Sequence, residues 1–347
     1  MDVLVILGNG FDLSHGLRTS YYDFIKHEVD NFQSKKKQDR FFANKLMNSS
    51  CTFKFEHLAE GRKIIGGVNY FATLLSRKRF NNALFIALLN EFADKNWCDI
   101  EYFYYEQLAS DIWYPHILSL HNDFEAIKSH LQSYLKQEQT KAKKMASYAA
   151  LFSELSETGG WATILNFNYT SVLDLYEDEL ARTQVINIHG ELYNEENPIV
   201  FGYAASDEEA RELIERNDNE FLRNIKKHCY KRTNNFKKLN SYLDTDGSKT
   251  VIIIGHSCGI SDKLILNQIF NHPKVRKILP FYYENHESYF QTQVNMDRIM
   301  NNDDNFNSRL VSSESSWRTP QYNDNEEQIK AFQEYLFSDN FRDALEH

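Results

Sequence analysis

Apolar positions in this chain fall into two alternating patterns, short unbroken runs and longer periodic stretches. Residues 3–7 are apolar and rich in β-branched side chains, with no alternation. That is the pattern of a strand buried on both faces of a parallel sheet. Comparable runs recur at 161–165, 184–188, 198–201, 250–254 and 275–281, of which 250–254 is the most apolar. Helical periodicity governs 80–95, where Phe80, Leu84, Leu88 and Phe92 share a face with Phe85 and Leu89 beside them. Asp99 is placed to cap a following helix with Ile100, Phe103, Leu108 and Ile112 on its inner face, and Glu101 complements that helix's dipole. Further helices are expected over 119–144, 207–238 (strongly charged), 262–270, 286–300 and 326–336. Residues 12–28 read as loop and then helix, 30–63 and 301–325 carry no clear period, and no internal repeat is visible.

Strands alternating with helices predict an α/β fold built on a Rossmann-like open parallel sheet. The helical stretch between the first and second strands, about a hundred residues or more, is too long for a crossover. It predicts a large helical insertion after the first strand. The expected organisation is a nucleotide-binding domain from 1–28 and 151–300, an inserted helical subdomain at 29–150 and a C-terminal helical extension at 301–344. The closing 345–347 resembles a purification-tag remnant. Four strands run into polar or glycine-bearing clusters: Gly8-Asn9-Gly10, Asn166-Phe167-Asn168-Tyr169-Thr170, His189-Gly190 and Gly255-His256-Ser257. Parallel strands bring such clusters to one edge, where ligands bind in open α/β sheets.

Composition narrows the class. The 347 residues are 42 % hydrophobic and 14 % aromatic with five prolines, enough for a large core. No apolar run is long enough to span a bilayer, and the N-terminal run lacks the basic flank and cleavage site of a signal peptide. The four cysteines, Cys51, Cys98, Cys229 and Cys258, are widely spaced, which suggests neither a disulfide framework nor a metal site and fits a reducing cytoplasm. A net charge of −10 disfavours general nucleic-acid binding. One basic run, 223–238, reads either as a solvated helix face or as a phosphate-contacting patch.

The opening cluster suits phosphate. A strand, a glycine turn and a helix start let the backbone approach an anion and direct N–H groups at it. The dehydrogenase pattern is not met: the third glycine, Gly16, comes too late, and Glu28 falls in a helix rather than at the end of a second strand. Phe11 and Asp12 follow the turn, and Asp12 serves either as a helix cap or as a ribose ligand. Asn168 reads as a turn asparagine or as a holder of water or ribose hydroxyls. His189 reads as a turn histidine or as a general base titrating near neutrality. His256 and Asp262 flank a Ser/Gly loop, with Asp262 also a candidate N-cap. The same loop fits Gly-x-Ser-x-Gly, the hydrolase elbow, with His272 and His286 downstream, but that reading leaves the turn at Gly8 unexplained.

Two resemblances are carried by these residues. The stretch 6–21 (Ile-Leu-Gly-Asn-Gly-Phe-Asp-Leu-Ser-His-Gly-Leu-Arg-Thr-Ser-Tyr) resembles the opening of the bacteriophage abortive-infection AbiH family. So do 97–101, 166–170, Ile188-His189-Gly190, Phe201-Gly202-Tyr203 and Ile254-Gly255-His256-Ser257; Arg18 departs from the usual proline. More remotely, the motif order is similar to the sirtuin (Sir2, DHS-like) NAD-binding fold. Gly8, Gly10 and Gly16 match its glycine offsets, with Asp12 in a serine's place. Asn168 matches its functional asparagine, with Thr170 in place of an aspartate. His189-Gly190 matches its catalytic histidine and glycine, and Gly255-His256-Ser257 its late strand end. The deacetylases' cysteine quartet is missing, which argues against peptide deacetylation.

The resemblances imply an antiphage effector that binds NAD or a related nucleotide and hydrolyses the bond between nicotinamide and ribose, with His189 and Asn168 catalytic. Gly8, Asn9, Gly10, Phe11, Asp12, Asn166, Thr170, Gly190, Gly255, His256, Ser257 and Asp262 would bind the nucleotide, without a metal. A phage-derived trigger and self-association through the helical insertion are the expected partners, with neither membrane nor nucleic acid. A nucleotide-binding sensor without catalysis is the alternative, and a nucleic-acid-acting effector a lesser one. As edge residues, Asn168 and His189 are expected to contribute little packing, and a side chain at Gly10 is expected to exclude the nucleotide.

Overall fold

A computed structural model describes residues 2–33, 82, 84–85, 87–89, 99–109, 117–157, 162–204, 207–300 and 304–346. In chain order its main elements are β1 (Asp2–Leu7), α1 (Asn9–Ser14), α2 (Tyr21–Gln33), α3 (Ile100–Ala109), α4 (Ile117–Gln139), α5 (Ala146–Glu157), β2 (Ala162–Asn166) and β3 (Gln184–Asn187). There follow α6 (Asp207–Glu215), α7 (Asn235–Asp244), β4 (Lys249–Ile254), α8 (Lys263–Phe270), β5 (Val275–Pro280), α9 (His286–Met300), α10 (Glu326–Leu336) and α11 (Asp339–Glu346). The expected helix over 80–95 lies mostly outside the described residues, as do 34–63, Trp97, Cys98 and Ile112; Leu84, Phe85 and 87–89 are helical and Asp99 caps α3 through the N–H groups of Glu101 and Tyr102.

The chain forms two compact units. The first comprises Met1–Arg18, Leu135–Val200 and Lys226–His347; the second comprises Thr19–Tyr134 and Phe201–Ile225. The first is built on an all-parallel five-stranded sheet in the order β3-β2-β1-β4-β5. Unbroken apolar strands need cover on both faces, and alternate residues divide between two cores. Val3, Val5 and Leu7 pack with α5, α10 and α11, while Leu4 and Ile6 pack with α7, α8 and α9. The register sets Leu7 beside both Asn166 and Ile254, and Asn166 beside Asn187. The strands therefore end level, and the segments that follow them share one edge.

The described residues of the second unit are largely helical, and several of their polar contacts are built around α3. Glu101 is buried and accepts the Gly202 N–H at 2.8 Å and the Tyr21 hydroxyl at 3.3 Å, a larger role than complementing a dipole. Tyr104 hydrogen-bonds His121 Nδ1 at 2.8 Å and accepts from the Asn224 amide at 3.0 Å.

Several expectations are corrected. Residues 198–201 form no strand; Pro198 makes a single bridge to Glu191, because Gly190 has already turned the chain out of the sheet. The charged helix over 207–238 is broken, since Asn217 adopts a left-handed conformation and Asp218 caps a new 3-10 turn over Asn219–Leu222. The helix over 119–144 stops at Gln139, and α5 follows as a separate element. Residues 9–14 are helical rather than loop. Leu345 is buried in the core, and its carbonyl accepts the Thr250 hydroxyl at 2.8 Å. The Arg18 N–H, which a proline would lack, donates to Glu138 at 3.4 Å.

Candidate functional site

The sheet edge begins with two turns locked together. The Gly8 N–H donates to Ile254 O at 3.0 Å, the Gly10 N–H to Gly255 O at 2.7 Å, and the Phe11 N–H back to Gly8 O at 2.9 Å. Cβ atoms added at Gly8 and Gly10 would each lie 2.5 Å from a backbone Cα, of His256 and Gly255 respectively. Gly255 itself has φ of +63°, and a Cβ there would lie 2.4 Å from the Phe11 nitrogen. These glycines therefore let one backbone approach another. The expected phosphate cradle is corrected to that extent, since three of its N–H groups already have acceptors within the protein. Phe11 points the other way, into the core beside His15 and Tyr148. Its neighbours are structural: His15 donates from Nδ1 to Phe11 O and accepts the Tyr176 hydroxyl on Nε2, each at 2.7 Å, and burial pushes its pKa down to about 4.

The segment after β2 fastens onto this turn. Asn166 accepts the Asn168 N–H at 3.1 Å and donates its amide to Asn187 at 3.0 Å. Asn168 donates its side-chain amide to Gly8 O at 3.1 Å; its Oδ1 has no partner among the described residues. Thr170 donates to Asp12 Oδ2 at 2.6 Å, and Asp12 Oδ1 is buried without a hydrogen bond among the described residues. Burial lifts the Asp12 carboxyl to a pKa of about 7, partly offset by the Thr170 bond. Asp12 is thus neither cap nor exposed ligand; it is a buried acid between the first two strand ends.

The remaining clusters meet at Asp262. His189 Nε2 lies 3.1 Å from Asp262 Oδ1 and 3.0 Å from the Tyr230 hydroxyl. His256 Nε2 lies 3.4 Å from Asp262 Oδ2, and its Nδ1 accepts the Cys258 N–H at 3.0 Å. That bond fixes the His256 tautomer, with the proton on Nε2 facing Asp262. Lys226 Nζ lies 3.0 Å from both Asp262 Oδ1 and Ser261 O. Burial opposes ionisation of Asp262, but Lys226, His189 and His256 outweigh it and hold the carboxyl well below its usual range. His189 is shifted downward by burial, against the pull of Asp262, so the imidazole is neutral at physiological pH. The Phe167 ring stands edge-on to both imidazoles, 4.9 Å from His189 and 4.4 Å from His256 between centroids, and Tyr169 stacks on His189 at 5.9 Å. Gly190 turns away with φ of +80° where a Cβ would lie 2.2 Å from Pro198 O.

The structure thus joins Gly8, Gly10, Asp12, Asn166, Asn168, Thr170, His189, Gly255, His256 and Asp262 by direct contacts along one edge. Ser257 is exposed, and the histidine beside it faces Asp262 and the Cys258 N–H; His272 pairs with Asp244. A nucleophile elbow at Ser257 is not assembled. Sequence reasoning missed Lys226 and Tyr230. Lys226 stood unmarked among the basic residues of 223–238, yet it is 1 % exposed, whereas Arg223, Lys227, Lys231, Arg232, Lys237 and Lys238 are exposed. Among the described residues no group of three or more His, Cys, Asp or Glu side chains is placed to hold a metal ion, and no helix is long and apolar enough to cross a membrane.

The model of one protein family, described as bacteriophage abortive infection AbiH, matches residues 4–284. No curated protein matches the chain.

Proposed function

Because the chain belongs to the bacteriophage abortive-infection AbiH family, we propose that it is an abortive-infection effector whose sheet edge binds NAD and hydrolyses its N-glycosidic bond. The role in abortive infection comes with the family; NAD and its hydrolysis rest on the site and on the sirtuin-like order of its motifs. One observation carries the reading. An asparagine whose side-chain carbonyl has no partner among the described residues and a neutral histidine held by an ionised aspartate stand after adjacent strands on one sheet edge.

In the reaction the bond between nicotinamide and the ribose C1′ breaks, and its electron pair leaves with nicotinamide. Positive charge develops on the ribose, water attacks C1′, and the water gives up a proton. With Nε2–H directed at Asp262, His189 keeps the Nδ1 lone pair for that proton. Asn168 Oδ1 would accept from the water or from a ribose hydroxyl, while its amide stays on Gly8 O. Fixing the water and the ribose supplies up to ~7–11 kcal/mol in well-oriented cases. A positioned base adds about 10²–10⁴-fold.

The test is incubation of pure protein with NAD, with and without phage lysate, following nicotinamide and ADP-ribose. Equal release of both is expected, falling about 10²-fold or more in His189→Ala and Asn168→Ala. No release under either condition, or release indifferent to both substitutions, sinks the reading. Binding without turnover is the second reading. It is favoured by the double occupation of His189 Nε2 by Asp262 and Tyr230, which also serves to lock a purely structural ring. NAD binding by calorimetry that survives His189→Ala, with no product, would select it.

A further inference from the structure

The cluster around Asp262 contains one residue for which the reaction just described has no use. Lys226 opens a single helical turn, Lys226–Cys229, and is almost completely buried. A buried ammonium is retained only where it is paired. We propose that Lys226 is a positioning residue whose ammonium, set against Asp262 Oδ1, supplies the cluster's positive charge and so leaves His189 free to accept a proton. This rests on His189 acting as the base.

Among the described residues, the groups that face His189 are Asp262, Lys226, His256, Tyr230, Phe167 and Tyr169. Asp262 carries one negative charge and Lys226 one positive charge, so His189 stays neutral beside the balanced pair. Without Lys226 the carboxylate would draw a proton onto an imidazole. The Nδ1 lone pair of His256 is already taken by the Cys258 N–H. His189 Nδ1 has no partner among the described residues. The proton therefore goes to His189, and the base is lost.

The experiment is nitrogen-detected NMR titration of the histidine rings in the full chain, with His189 assigned from the spectrum of His189→Gln. Lys226→Gln keeps a hydrogen-bond donor to Asp262 but brings no charge. His189 is expected to titrate at least about one pH unit higher in Lys226→Gln than in the wild type, a tenfold change in proton affinity, and Lys226→Arg should restore the wild-type titration. An unchanged His189 titration in Lys226→Gln overturns the proposal. If Lys226→Gln does not fold, the double variant Lys226→Gln/Asp262→Asn decides: the proposal requires it to fold with His189 neutral, since both members of the pair are then uncharged. An unfolded double variant, or one with a cationic His189, overturns it. The titration needs no NAD, so failure of NAD hydrolysis and failure of Lys226 are read separately. Where turnover is measurable, its acidic limb should move up by the same interval in Lys226→Gln.

Discussion

At the scale of single residues, the strongest consequence is that the sheet edge is packed as tightly as a core. Asp12 shows it through pH. Its folded pKa is raised to about 7, against an ordinary 3.8. A carboxyl whose folded pKa is raised contributes stability fully at low pH and loses it as pH rises through the folded value. That contribution, up to about 4 kcal/mol, should fade between about pH 4 and pH 7. Asp12→Asn keeps an acceptor for Thr170 but does not titrate. Melting curves across that window should be flatter for Asp12→Asn than for the wild type, with the variant at least as stable at pH 8; parallel curves would refute the assignment. Gly10 shows the same packing through space. A side chain there meets the Gly255 backbone, which cannot move as a flexible side chain can. Gly10→Val should therefore lower stability by about 3 kcal/mol or more, rather than exclude a nucleotide from an otherwise native fold. A normal melting temperature in Gly10→Val would contradict this. Asn168 and His189 are likewise buried and hydrogen-bonded, so their alanine variants should each lose about 1 kcal/mol, more than edge residues without contacts would.

At the scale of elements, the caps and breaks decide where helices lie. α10 is bounded by a reciprocal capping box: Asn325 accepts the Gln328 N–H at 2.9 Å, and Gln328 accepts the Asn325 N–H at 3.0 Å. The helix then buries Phe332, Tyr335 and Leu336 against one face of the sheet. Asn325→Ala should cost about 1 kcal/mol, visible as a lower denaturant midpoint with an unchanged slope. No loss would mean that packing alone holds the helix. This boundary was legible in the sequence because capping is local. The break of 207–238 was not, because a left-handed Asn217 carries no stronger local signal than any other asparagine in a charged stretch.

At the scale of the whole molecule, the first unit is closed by its last helix. Phe341, Ala344 and Leu345 of α11 lie in the same core cluster as Val3 and Ile164, and the Leu345 carbonyl receives Thr250 from β4. Burying a large apolar side chain is worth about 1.5–3 kcal/mol. A chain ending at Ser338 should therefore be several kcal/mol less stable, and a calorimetric melt should show it. Equal melting temperatures would indicate that α11 is an appendage.

By itself the sequence determined the parallel α/β class, the positions of the five strands beside a sixth run at 198–201 that forms none, and the rule that their polar ends share an edge. It could do so because strand burial, glycine turns and helix caps are written in neighbouring residues. Asn168, His189 and His256 were legible for the same reason, each standing just past a strand end, and Asp262 as the polar residue before α8. Only the tertiary structure decided what those ends do to one another. It set Gly8 and Gly10 against Gly255 and His256, turned Phe11 into the core, buried Asp12 against Thr170, and drew Lys226 out of a basic run onto Asp262. Charge balance and close packing depend on residues far apart in the chain, and no local pattern of hydrophobic and polar positions records which distant atom will arrive.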